Sequence, residues 1–188
     1  MGHTSGMSRP RLSAFALLLA LSTPTLLQAG CGGETERPDG GKGMLEVGAM
    51  APDLSATAHD GTAIALRSLG KPAVVYFYPK DDTPGCTAEA CAFRDIWTEY
   101  EKAGVMVIGV STDDDASHQA FAKKHELTFP LIADTTEAWA KAFGVKTSAG
   151  YADRVSFLLD GSGKIAKVYP GVDPGVHARA VLDDAAKL

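Results

Sequence analysis

A chain of 188 residues suffices for one domain with a sizeable core and a tail, and is too short for two full domains. Hydrophobic residues make up 45% and charged residues 22%, which argues against a disordered chain or a polytopic membrane protein. The net charge is -5, and the first 43 residues hold only four basic and three acidic side chains, so the acidic balance sits on the body and makes it a poor nucleic-acid binder.

Residues 1–30 read as a signal peptide: Arg9 and Arg11 precede an uncharged apolar stretch from Leu12 to Ala29. A membrane span needs about 20 apolar residues and is the competing reading; Pro24 and the polar Ser22, Thr23 and Thr25 favour cleavage. The stretch ends Leu27-Gln28-Ala29-Gly30-Cys31, which resembles the lipobox of bacterial lipoproteins and implies lipidation of Cys31. The pattern departs at Gln28, where Leu is usual. Residues 31–43, rich in Gly and acidic side chains, read as a flexible tether, and residues 44–188 as the folded domain. The expected location is therefore exported, periplasmic or cell-envelope, with a lipid anchor to the membrane. One acyl chain anchors weakly, so durable attachment needs several.

Within the domain, Leu54 to Thr57 and Ala63 to Leu66 flank Asp60-Gly61 and suggest a short hairpin. Ala73 to Tyr78 is a continuous apolar run between Pro72 and Pro79, the pattern of a strand buried on both faces. Thr83-Pro84 then supplies a cap and a first helical residue, predicting a helix from Pro84 to about Lys102 ended by Gly104. Strands follow at Val105 to Val110, Phe129 to Ala133, Val155 to Leu159 and Lys164 to Tyr169. Helices are predicted at Ser117 to His125, Glu137 to Phe143 and from about Val176. Alternating strands and helices with a late hairpin predict an α/β domain of the thioredoxin-like kind, with a central mixed sheet flanked by helices.

Three cysteines occur, and with Cys31 set aside the body holds Cys86 and Cys91. Cys86 falls in the first turn of the predicted helix, where free backbone N–H groups and the helix dipole favour the thiolate. Thr83 either caps the helix or donates its hydroxyl to the sulfur or to a substrate oxygen beside it. Cys91 lies five residues on. On an intact helix two such Cα atoms stand roughly 8.7 Å apart, whereas a disulfide wants roughly 4.4 to 6.8 Å. The two sulfurs can therefore join only if the first turns unwind. Two plain buried cysteines are the alternative, and export into an oxidising compartment favours the reactive pair.

The segment Pro79-Lys80-Asp81-Asp82-Thr83-Pro84-Gly85-Cys86 resembles the active-site motif of peroxiredoxins, with Pro79, Thr83 and Cys86 at its defining positions. Glu89-Ala90-Cys91-Ala92-Phe93-Arg94-Asp95 is similar to the subgroup called PrxQ or bacterioferritin comigratory protein, an atypical two-cysteine type. Further likeness lies at Gly109 to Ser111, Ser117-His118, Phe129 to Leu131 and Arg154 to Asp160. The resemblance implies a thiol peroxidase acting on hydrogen peroxide and organic hydroperoxides. In it Cys86 is peroxidatic, Cys91 is resolving, and Arg154 stands beside the reactive sulfur. It implies no metal, haem or flavin, recycling by a thioredoxin-like dithiol protein, and a monomer. The signal and tether depart from the usual cytoplasmic pattern, so cytoplasmic thioredoxin could not be the reductant.

Two other classes compete. A thiol-disulfide oxidoreductase would separate its cysteines by two residues, and here four intervene. A metal-binding module would need histidines at ligand spacing, whereas His59, His118, His125 and His177 are scattered and each reads as a surface residue. Arg94 reads as a surface or ion-pair residue.

Overall fold

The computed structural model describes residues 1–3 and 34–188. Most of the expected signal peptide, and Cys31 with it, lies outside the described residues. The described part of the expected tether closes on itself. Glu36 bridges Lys42 in antiparallel fashion, and Gly43 N–H donates to Thr35 O at 2.8 Å. The Arg37 guanidinium donates to the carbonyls of Lys42 and Gly43. Gly43 packs so closely on Gly144 that a Cβ on the latter would stand 1.9 Å from Gly43 O.

The domain opens with the short hairpin of β1 (Ser55–Thr57) and β2 (Ala63–Ala65). There follow β3 (Ala73–Phe77), α1 (Pro84–Asp95), α2 (Trp97–Ala103), β4 (Met106–Ser111), α3 (Asp115–His125), β5 (Leu131–Ala133) and α4 (Ala138–Phe143). The chain finishes with β6 (Thr147–Ser148), β7 (Tyr151–Ala152), β8 (Val155–Leu159), β9 (Ile165–Pro170) and α5 (Pro174–Ala185).

Five strands form the central sheet in the order β5-β4-β3-β8-β9. β3 pairs parallel with β4 and antiparallel with β8, placing Val75 between Ile108 and Phe157. The sheet is thus mixed and flanked by helices, as the alternating pattern requires. Every residue of β3 is buried, and its side chains alternate between two cores. Ala73, Val75 and Phe77 join Trp139 and Phe143 of α4 and Ile64 of β2. Val74, Tyr76 and, just past the strand, Tyr78 join Phe93 of α1, Tyr100 of α2, Phe121 of α3 and Val181 of α5. This two-faced burial explains the unbroken apolar run.

Two features differ from the sequence reading. The helix expected from Pro84 to about Lys102 breaks at Ile96, whose φ of -113° and ψ of 21° leave the helical region. Past the break, the Tyr100 hydroxyl donates to Ala178 O at 2.6 Å, fastening α2 to α5. Gly104 closes α2 with a φ of 67°. The extra hairpin β6–β7 turns through Ala149 and Gly150, both at positive φ, a two-residue turn with no strong signal in Ala-Gly.

Candidate active site

The site is built where β3 hands over to α1. Tyr78 to Thr83 form the connecting loop, and Asp81 inside it is buried. Its carboxylate accepts from the Tyr78 hydroxyl at 2.8 Å and from Ser117 Oγ at 2.7 Å, and lies 2.9 Å from His118 Nδ1. Burial pushes its pKa up most strongly, but the bonds from His118, Ser117 and Tyr78 together hold it below the ordinary range. The Asp81 N–H donates to Asp113. Asp82, in the left-handed region at φ 56°, is met by Lys124 and His125. The loop is therefore fastened to α3 from two sides.

Thr83 is extended at the N-cap position and Pro84 is the first helical residue, which sets Cys86 in the first turn. Cys86 is 1% exposed. The expected roles of the Thr83 hydroxyl need correction: it makes no capping bond to the helix and donates to Lys80 O at 3.0 Å. Its proton is thus engaged, and its oxygen is left to accept. Pro79 lies half-buried within this loop, two residues past the end of β3.

Arg154, just before β8, reaches the sulfur: its Nη2 donates to Cys86 Sγ at 3.1 Å. Its Nη1 pairs with Oε2 of Glu89, one helical turn beyond Cys86. Glu89 has no exposed surface. Burial raises its pKa to about 7, against the pull of Arg154. Gly85 leaves room for this arrangement, since a Cβ there would stand 3.3 Å from Arg154 Nη2. Nearby His177 is buried on Ser156 Oγ at 2.8 Å, and burial, then Arg154, lowers its pKa to about 4.

Cys91 lies in the same unbroken helix, half-buried, and both thiols are free. The helical spacing keeps them beyond disulfide reach. Among the predicted site residues, Arg154 and Cys86 are in contact, Thr83 and Pro79 lie on the loop that leads into α1, and Cys31 lies outside the described residues. Arg94 forms an ion pair with Asp95 and also donates to His125 O at 2.7 Å, joining α1 to α3. A cavity of about 560 Å³ opens beside Arg154, between Met44, Lys146, Val155 and Pro170, without reaching Cys86.

Sequence reasoning passed over Glu89, and it misjudged two histidines. His118 and His177 are buried, not at the surface. Each has a polar partner that makes burial tolerable. The signals for Glu89 were its place in the stretch that resembles the PrxQ subgroup and its position three residues after Cys86, on the same helix face.

Residues 47–168 match the AhpC/TSA family. The chain is 40% identical over 165 residues to the chloroplastic peroxiredoxin Q of Oryza sativa subsp. japonica, covering 85% of this chain and 76% of that one. Among solved structures it is similar to the peroxidoxin BcpB of Mycobacterium tuberculosis, with a TM-score of 0.71, 30% identity and coverage of 77% and 98%. It also matches the bacterioferritin comigratory protein of Xanthomonas campestris, described for its alkyl peroxide reduction activity, with a TM-score of 0.68, 38% identity and coverage of 76% and 96%. The fold is thioredoxin-like, and the chain belongs to the peroxiredoxin family as a thiol peroxidase of the PrxQ or bacterioferritin comigratory protein type.

Proposed function

We propose that the chain reduces hydrogen peroxide and organic hydroperoxides through Cys86, with Cys91 as the resolving thiol and a thioredoxin-like dithiol protein as reductant. The observation that carries this reading is the Arg154 guanidinium on the sulfur of a buried Cys86 at a helix start. The Cys86 thiolate attacks one peroxide oxygen, the O–O bond breaks, and water or an alcohol leaves while the sulfur becomes a sulfenic acid. Arg154 stabilises the attacking sulfur and the polarised peroxide. Thr83, with its proton on Lys80 O, accepts from the peroxide hydroxyl and fixes its approach beside Pro79. The first turns of α1 then unwind, and Cys91 displaces water from the sulfenic acid to form an intramolecular disulfide that a dithiol reduces by exchange. No second chain is needed, which supports a monomer.

Stopped-flow mixing of the pre-reduced protein with peroxide tests the assignment. Cys91→Ser should oxidise normally and fail to be recycled by a dithiol, and mass spectrometry of the wild type should find a Cys86–Cys91 disulfide. Cys86→Ser should not consume peroxide; rapid consumption by that variant would overturn the reading.

Export with lipidation at Cys31 is part of the same proposal and rests on the sequence alone. Incorporation of labelled palmitate into the expressed wild type, and not into Cys31→Ala, is the expected result.

A further inference from the structure

Arg154 is one cation serving two acidic groups. Its Nη2 donates to Cys86 Sγ and its Nη1 meets Glu89 Oε2. The second oxygen of that carboxyl, Oε1, is buried and has no hydrogen-bond partner. A buried carboxylate with a bare oxygen is costly, and a neutral acid much less so.

Among the described residues, the groups around Glu89 offer no second positive charge. The Tyr76 hydroxyl of β3 is buried and itself without a partner. His177 of α5 is held neutral on Ser156. The Asp81 carboxylate adds negative charge and is already held by Tyr78, Ser117 and His118. With Cys86 as a thiolate and Glu89 ionised, two buried anions would share one half-buried cation. With Glu89 protonated, the thiolate and Arg154 balance. Once the sulfur is oxidised it is neutral, and Arg154 then needs the Glu89 carboxylate as its counter-charge.

Resting on the peroxidatic reading of Cys86, we infer that Glu89 is a proton-carrying positioning residue: it holds a proton while Cys86 is a thiolate and releases it when the sulfur becomes a sulfenic acid. The balanced step is Cys86–S⁻ + ROOH + Glu89–COOH → Cys86–SOH + ROH + Glu89–COO⁻. A sulfur lone pair forms the S–O bond, the O–O pair leaves with the alkoxide oxygen, and the proton that completes the alcohol is drawn from Glu89 and not from bulk solvent. The raised pKa of Glu89 supports a proton held at this position. It keeps that proton in place up to about neutral pH while the sulfur is reduced.

The test uses the full chain carrying Cys91→Ser, which stops at the sulfenic acid. The pre-reduced protein is mixed with one equivalent of hydrogen peroxide at about pH 6, below the value of about 7 to which burial raises Glu89, and a pH indicator counts protons per sulfur oxidised. Protein with Glu89 should take up about one proton fewer from solvent than the same protein with Glu89→Gln. Equal counts would overturn the inference. Should the Gln variant fail to fold, the infrared difference spectrum of the Cys91→Ser protein decides alone. A protonated-carboxyl band must vanish on oxidation, and an unchanged spectrum in that region overturns the inference. Absence of any peroxide consumption by the Cys91→Ser protein would instead count against the reading of Cys86, leaving the two failures distinct.

Discussion

Arg154 Nη2 lies 3.1 Å from Cys86 Sγ, a contact that joins residues 68 apart in the chain. It uses one arm of the planar guanidinium while the other arm holds Glu89, so a single side chain ties the start of β8 to the first two turns of α1. An ammonium on a flexible stem cannot span both groups in that geometry. Arg154→Lys should therefore slow the reaction with peroxide about 10- to 100-fold, the equivalent of about 1.5 to 3 kcal/mol for a hydrogen bond to a charged group. Stopped-flow rates for the pre-reduced proteins check this, and a change under twofold would mean that the contact does not govern attack.

Gly85 separates Cys86 from the cap. Alanine there favours the helix by about 1 kcal/mol, and its Cβ would press on Arg154 Nη2 at 3.3 Å. The flexible guanidinium can yield by a few tenths of an ångström, so attack should slow only modestly. Disulfide formation, which requires the first turn to unwind, should slow about fivefold. Double-mixing experiments separate the two steps. Equal slowing of both would show that stiffness of the first turn does not limit resolution.

The loop before α1 depends on Asp81 being satisfied. Removing the ring of His118 leaves a buried carboxylate short of a partner, so His118→Leu should cost about 3 to 5 kcal/mol in urea denaturation, and His118→Gln, which can still donate, less. In the folded protein the Asp81 pKa is depressed. Its contribution to stability is present above the ordinary value of 3.8 and disappears as pH falls through the lower folded value. The leucine variant should lose that acid-side decline. Identical stabilities would mean that Tyr78 and Ser117 alone suffice to hold Asp81.

Much of this arrangement was legible in the chain. The β3 run announced a central strand because both its faces are buried, and Thr83-Pro84 marked the start of α1 because an extended cap and a proline suit the first turn. The place of Arg154 beside Cys86 came from resemblance, since no local pattern reports a contact made across 68 residues. The direction of the Thr83 hydroxyl was not legible, because its choice between helix, sulfur and Lys80 O is settled by the loop's tertiary fastening. Nor were the buried His118 and His177, whose tolerance inside the core depends on Asp81 and Ser156 being brought to them by the fold. The break at Ile96 has no Gly or Pro to announce it.

Glu89 and His177 bear opposite linkages to pH. Folding raises Glu89 from 4.5 to about 7, chiefly by burial, so the folded state keeps a proton that the unfolded chain has lost, and this stabilisation declines as pH rises from 4.5 to about 7. Folding lowers His177 from 6.5 to about 4, again chiefly by burial, so the unfolded chain holds the extra proton, and stability grows as pH rises from about 4 to 6.5. Over the shared range the two slopes cancel. Glu89→Gln should expose the histidine's slope, with stability increasing by about 1.4 kcal/mol per pH unit and by on the order of 3 kcal/mol across the window. His177→Gln should do the reverse, giving a protein that weakens toward neutral pH. Urea denaturation of the reduced proteins at several pH values reads both slopes. Curves parallel to the wild type for both variants would show that neither group changes its proton affinity on folding, and would remove the electrostatic basis for a protonated Glu89 beside Arg154.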